Sequence, residues 1–243
     1  MKKTLASLFI FLSLVSPCLA ADSLTAIDVL LEPDDVMFAQ ARSDNARLLG
    51  NYPEGFALDA THIPHISVLQ CYVRTQDLEK VAAAVGQITE AYQPFRMELK
   101  ATGYFAAPWD GLGLAGITVA VTPDLLKYQE AIMAALAPWI AKQGTVEALF
   151  PNEDGTPSDE TIAAYINTFA SKQTGKNYNP HVTIGLGRED FLEKMTAAPY
   201  TPFTFKIKNV SIYQLGDFGT ARRKIWIFPG AEALTVAHGD PQS

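Results

Sequence analysis

Cysteine is nearly missing from this chain: 243 residues hold two, Cys18 and Cys71. If the first twenty residues are removed, only Cys71 survives and no internal disulfide can form. Basic residues are in deficit, 19 Lys and Arg against 26 Asp and Glu, for a formal charge of −7. Such a chain is a poor partner for long nucleic acid, where neutralising phosphates dominates affinity. A small anionic ligand in a local pocket stays open. Beyond residue 20 no apolar run is long enough to span a bilayer, so a soluble mature protein with no membrane contact is expected; the sequence does not fix the oligomeric state, and a monomer is the default expectation. No repeat of 20–50 residues is visible, which excludes solenoids and arrays. Histidine is scarce as well, with four in the chain. What is there is ordinary globular composition, 48% apolar and 19% charged, enough for one sizeable domain.

Residues 1–20 read as a secretory signal peptide. Lys2 and Lys3 precede the apolar run Leu5 to Val15, Pro17 breaks it, and Cys18-Leu19-Ala20 offers small residues for cleavage after Ala20. The alternative is a lipid anchor on Cys18. Cleavage takes two of the 19 basic residues and moves the charge from −7 to −9. The expected location is periplasmic or secreted.

Periodicity then alternates between strand and helix. Strands are expected at 23–33, 62–74, 95–105, 116–123, 180–186, 203–216 and 222–228. Helices are expected at 34–50, 75–92 with Thr75 as N-cap, 124–143 ended or bent near Pro138, 158–172 and 188–198. The domain is expected to cover 21–229, with an insertion at about 144–176 and a polar tail from 230. His238 in that tail has no evident partner. A histidine-bearing strand, a helix and two strands occur at 62–121 and again at 180–228, so the class is mixed α+β with two similar lobes.

The echo is sharpest in one phrase. "HISV" (65–68) and "HVTI" (181–184) both read His, aliphatic, hydroxyl, aliphatic, 116 residues apart. Side chains alternate along a strand, so His65 and Ser67 share one face, as do His181 and Thr183. Two such strands would line a cleft with two imidazoles and two hydroxyls. Imidazole titrates near neutrality, so one ring can take a proton from a nucleophile and the other can give one to a leaving oxygen. The hydroxyls can stabilise charge on phosphate oxygens. Phosphodiester chemistry without metal or cofactor follows. Two core histidines satisfied by neighbouring hydroxyls is the bland alternative.

In these two motifs the chain resembles the two-histidine (2H) phosphoesterase superfamily and its 2′-5′ RNA ligase and RNA 2′,3′-cyclic phosphodiesterase-like proteins. The resemblance extends across roughly 24–228. It implies a bilobal α+β fold with pseudo-twofold symmetry and a central cleft, and His65, Ser67, His181 and Thr183 as the catalytic set. It implies a hydrolase acting on 2′,3′-cyclic or 2′-5′-linked phosphodiesters of a small nucleotide or short RNA, or reversible 2′-5′ end joining. A non-catalytic nucleotide or RNA-end binder in the same cleft is the rival from another class.

Other features are weaker. "GLGLAG" (111–116) matches a dinucleotide-binding pattern, but a strand follows where a helix should start, so a hairpin is expected. His62 with His65 and His181 would make a metal site only by assuming their convergence. Arg222, Arg223 and Lys224 form the one compact basic run; Arg222 and Lys224 are candidate phosphate contacts, or edge-strand charges. Tyr213 is a candidate substrate contact, and Tyr104 and Tyr178 are further candidates for stacking on a base or simply core aromatics. Gly185 and Gly187 either admit a ligand or mark a bulge. Cys71, six residues past His65 on an expected shared face, is about 20 Å away at 3.3 Å per residue and reads as inert.

Overall fold

The computed structural model describes residues 23–230 apart from 110 and 153. The expected signal peptide, Cys18 and His238 lie outside the described residues.

The chain runs β1 (Leu24–Pro33), α1 (Asp35–Asn51), β2 (Ile66–Arg74), α2 (Leu78–Tyr92), β3 (Glu98–Trp109), β4 (Leu112–Val119), α3 (Pro123–Leu136), α4 (Glu160–Lys172), β5 (His181–Gly187), α5 (Glu189–Ala197), β6 (Phe203–Leu215) and β7 (Ala221–Pro229). Local chemistry sets several boundaries. Asp34 caps α1, accepting from the amides of Val36 and Met37, and Thr122 and Asp159 cap α3 and α4 in the same way. Residues 137–139, around Pro138, end α3 in a single 3₁₀ turn. The 111–116 stretch is indeed hairpin: Trp109 pairs with Leu112, and Gly111 takes φ +75° in the turn.

Some local expectations fail; β3, expected from residue 95, starts at Glu98 after a 3₁₀ turn at Pro94–Arg96. The strand expected from residue 62 starts at Ile66; the preceding residues form a loop, and Pro64 cannot donate to a ladder. Thr75 does not cap α2. It opens a 3₁₀ turn, and its hydroxyl donates instead to the Ser23 carbonyl, pinning the end of β2 to the start of β1.

All pairing is antiparallel. The order is β2-β1-β6-β3-β4-β5, with β7 also on β6. The long strand β6 is shared between two lobes. Its first residues, Phe203–Lys206, pair with β3, while Ile207–Gln214 pair with β1 and Asn209–Leu215 with β7. One lobe is thus β2, β1, β7 and most of β6, with α2 and α3 packed against β7 and β2. The other is β5, β4, β3 and the start of β6, with α1 and α5 packed on it. The strands that follow His65 in sequence stand beside the strand of His181, and those that follow His181 stand on the side of His65. The two lobes are therefore interwoven, not successive.

The helix-facing sides are apolar. Ile27, Val29, Leu31, Ile66, Val210 and Ile212 in the first lobe and Ile117, Val182 and Ile184 in the second are fully buried. Burying each aliphatic side chain is worth about 1.5–3 kcal/mol, so the opposite sides of the sheets are free to carry polar residues. β2 and β5 close the path at its two ends. They do not pair with each other, but the Tyr178 hydroxyl donates to the Ser67 carbonyl at 3.0 Å and ties the ends together. The 144–176 stretch runs across this same side: α4 packs on β2, with Ile162 and Ile166 clustered against Tyr72, Ala26 and Leu215.

Candidate active site

Each repeated phrase folds with the same irregularity. β1 pairs with β2 as Val29↔Leu69 and then Leu30↔Ser67, leaving Val68 as an extra residue. β4 pairs with β5 as Ala115↔Gly185 and then Gly116↔Thr183, leaving Ile184 as the extra one. A bulge at this point shifts the strict two-residue alternation. His65 and Ser67 face the cleft, and past the bulge it is Gln70 that continues this face. Cys71 therefore does not share the face of His65, as strict alternation would have it. It is 3% exposed in the core, where burial pushes its thiol up to about 12.

The bulge on β5 also explains a glycine. Gly185 has φ +134°, and a Cβ there would stand 2.9 Å from the Asn45 side-chain nitrogen. Asn45, buried on α1, donates to the Ile184 carbonyl at 2.8 Å and the Phe56 carbonyl at 3.0 Å, and accepts from the Leu58 amide at 3.0 Å. Gly187 lies close to Leu48 and Leu192. Both glycines admit helices, not a ligand.

His65, Ser67, His181 and Thr183 line one cleft, together with Gln70, Tyr178, Asn179 and Gln173 on its polar side and Leu114, Tyr165, Phe169 and Phe218 on its apolar side. The two imidazoles are held alike. Nδ1 of His65 lies 2.7 Å from the Ile63 carbonyl, and Nδ1 of His181 lies 2.7 Å from the Asn179 carbonyl. A carbonyl only accepts, so each Nδ1 carries the proton and each Nε2 is the nitrogen left for chemistry. Phe105 meets the His181 ring edge-on, centroids 4.7 Å apart.

The surroundings of the two rings differ. Asp28, fully buried on β1, lies opposite Gln70. Its Oδ2 accepts from the Ser67 hydroxyl at 2.5 Å and the Gln70 amide at 3.0 Å, and lies 3.6 Å from Nε2 of His65. Its Oδ1 is buried without a hydrogen bond. In the other half, the position of Asp28 is taken by Leu114 and that of Gln70 by Leu186. Burial alone would lower the affinity of His65 for a proton, but the Asp28 carboxylate, the Ile63 carbonyl and the more distant Glu32 outweigh it and raise its pKa. For His181 burial prevails, helped by the charge of His65, and its pKa is lowered. The two rings are driven apart, the pattern expected of an acid and a base.

The basic run and two of the three tyrosines are not among the residues that line the cleft, although Tyr213 stands opposite Asp28 on β6 and Lys224 opposite Tyr213 on β7. Lys224 pairs with Glu32 at 3.1 Å and lies over the Tyr213 ring at 5.3 Å; Tyr213 is 3% exposed. Arg222 contacts Nε2 of His62 at 2.7 Å and lies over Phe150. None of Tyr213, Arg222 and Lys224 lines the cleft. Tyr104 donates to Asp44 behind β3. Of the three tyrosines only Tyr178 reaches the cleft, and its hydroxyl is committed to the Ser67 carbonyl. His62 is engaged by Thr61, Asp59 and Arg222 and does not join His65 and His181. Among the described residues no cluster of three or more His, Cys, Asp or Glu is arranged to hold a metal ion.

Sequence reasoning missed Asp28, Gln70, Tyr165, Phe169 and Phe218. Asp28 had a signal, as an acid in the middle of the apolar run of β1, whose other acid, Glu32, stands at its end. Phe218 had none: it takes φ +56°, unusual for a bulky residue, in the turn before β7. That turn is bound to the 144–176 stretch, Asp217 accepting from the Asp159 amide and the Asn152 side chain.

Solved structures similar to the chain include TT0787 of Thermus thermophilus, 13% identical with a TM-score of 0.47, covering 85% of this chain and all of that one. E. coli LigT in apo form is 11% identical with a TM-score of 0.42, covering 85% of this chain and 97% of that one. E. coli LigT complexed with 3′-AMP is 11% identical with a TM-score of 0.43, covering 86% and 98%. No curated protein matches the sequence. The family model of the 2′-5′ RNA ligase superfamily matches residues 38–217, which include both histidine motifs and most of the cleft, and the chain belongs to that superfamily.

Proposed function

We propose that this protein is a periplasmic or secreted phosphodiesterase that hydrolyses 2′,3′-cyclic or 2′-5′-linked phosphodiesters of nucleotides or short RNA, using two histidines as acid and base. The observation that carries the reading is the pair of imidazoles on one cleft, each fixed through Nδ1 to the carbonyl two residues before it and each presenting Nε2. One Nε2 takes the proton of the attacking water. The other gives a proton to the ribose oxygen that leaves phosphorus. The phosphate lies between the rings, near the Thr183 hydroxyl. The base lies against the apolar wall made by Tyr165, Phe169 and Phe218, where stacking tolerates any base.

The test is turnover of purified mature protein against a panel of 2′,3′-cyclic nucleotides, 2′-5′ dinucleotides and short RNAs with defined ends, with and without chelator. Conversion of a member of the panel in excess chelator supports the reading. Binding without turnover across the panel supports the nucleotide-binding alternative and overturns the enzyme.

A further inference from the structure

The two halves of the site are near copies in backbone and motif, down to the bulge after each hydroxyl residue. Of the matched pairs beside the motifs, one differs in charge, Asp28–Gln70 against Leu114–Leu186. The difference is costly. A carboxylate taken out of water, with one oxygen making no hydrogen bond among the described residues, is disfavoured by desolvation. Leucine at the matched position shows that the sheet does not need an acid there. On the assumption that the site is a phosphodiesterase, we propose that Asp28 is a positioning residue that breaks the symmetry of the pair, making His65 the general acid and His181 the general base.

The geometry suits that role. At 3.6 Å from Nε2, Asp28 is too far for a good hydrogen bond but close enough to favour imidazolium strongly. The proton on Nε2 is therefore stabilised without being committed to the carboxylate, and it stays transferable. Other titratable groups around His65 do not compete. Glu32 on β1 is neutralised by Lys224 of β7 at 3.1 Å. Tyr178, Tyr165 and Cys71 hold their protons because burial raises their pKa values. Among the described residues His181 on β5 pairs with no carboxylate, and Leu114 stands where Asp28 stands in the other half. Burial lowers its pKa, and the nearby imidazolium lowers it further.

For a cyclic phosphate the step balances as follows. The water oxygen bonds to phosphorus, and its proton passes to Nε2 of His181. One ring P–O bond breaks, and its oxygen takes the proton of His65 to become a free ribose hydroxyl. The product is a phosphomonoester, and a proton passing through solvent from His181 to His65 resets the pair.

The test is NMR titration of both imidazoles in wild type and in Asp28→Asn, which keeps an oxygen to accept from Ser67. In wild type His65 should titrate above His181; the reverse order overturns the proposal without any variant. In Asp28→Asn the His65 midpoint should fall, with a much smaller change at His181. The alkaline limb of kcat/KM should move down by the same amount, each unit being tenfold in rate on that limb. Asp28→Leu, which copies the Leu114 side, should act in the same direction and serves if the asparagine variant does not fold. An unmoved His65 midpoint in a folded variant overturns the proposal. The titration needs no substrate. A protein with these midpoints that turns over nothing in the panel overturns the phosphodiesterase reading while the effect of Asp28 on His65 stands.

Discussion

Thr183 holds the same place on β5 that Ser67 holds on β2, yet the two hydroxyls are not equivalent. Ser67 gives its proton to Asp28 at 2.5 Å, whereas among the described residues Thr183 makes no side-chain hydrogen bond. Only Thr183 has a proton free for a phosphate oxygen. Thr183→Ala should therefore lower kcat by the value of one hydrogen bond to a charged group, about 1.5–3 kcal/mol or roughly 10–150-fold, with little change in Tm. Ser67→Ala should lose less rate and more stability, about 1–3 kcal/mol, because Asp28 is left with Gln70 alone. Equal losses of rate in the two variants would contradict this division.

The histidines themselves should dominate. His65→Ala and His181→Ala are each expected to lower kcat on a 2′,3′-cyclic nucleotide by at least about 10²-fold. The double variant should fall well short of the product of the two losses, because one acid without its base does little. Steady-state kinetics on variants of verified fold decides this. A single variant with near-normal kcat would falsify the mechanism.

The opposed shifts also give stability a pH dependence of two signs. His65 has its pKa raised on folding, so its stabilisation is complete below the unfolded value near 6.5 and fades as pH rises through the folded value. His181 has its pKa lowered, so between its folded value and about 6.5 the unfolded chain binds more protons and stability rises with pH. Urea midpoints should show this by difference. Relative to wild type, His65→Gln should lose its deficit as pH climbs above about 6.5, and His181→Gln should be least harmful, or stabilising, at the acid end. Parallel curves for the three proteins would rule out both shifts.

How far the sequence could foretell this site is seen at Val68 and Ile184. The motif residues before them were legible, because two-residue alternation holds from His65 to Ser67 and from His181 to Thr183. The bulges were not, since an extra residue in a ladder depends on the partner strand, and the alternation rule then put Cys71 where Gln70 stands. The order of strands and helices was legible from periodicity, but the interweaving of the lobes was not. Which hairpin lies beside which motif is decided by long-range pairing along β6, on which local pattern is silent. The basic run 222–224 was legible by its charge. Its commitments to Glu32 and His62 come from neighbours 160 or more residues away.

Gly185 gives a prediction about the scaffold of the site. Its φ of +134° is strained for any residue with a Cβ, and that Cβ would press on Asn45 and Leu48. Gly185→Ala should cost about 1–3 kcal/mol. It should also loosen the loop at 56–58 that Asn45 holds, visible as faster amide exchange at Leu58. An alanine variant with wild-type Tm would mean that the bulge can move at little cost.

Phe218 tests what the strained turn is for. A bulky residue at φ +56° costs of order 1–3 kcal/mol, and such strain persists where the surroundings over-determine it. Here the surroundings are Phe56 and Trp109, each with ring centroid 5.7 Å away, and the Asp217 bonds to the 144–176 stretch. The ring lines the apolar side of the cleft with Tyr165. If that wall holds the base of the substrate, its contact is the same in ground and transition states. Phe218→Ala should then raise KM for a cyclic nucleotide roughly tenfold, in line with about 1–3 kcal/mol per stacked base, and leave kcat nearly unchanged. A loss in kcat with KM unmoved would instead place Phe218 among the groups that orient the reacting phosphate.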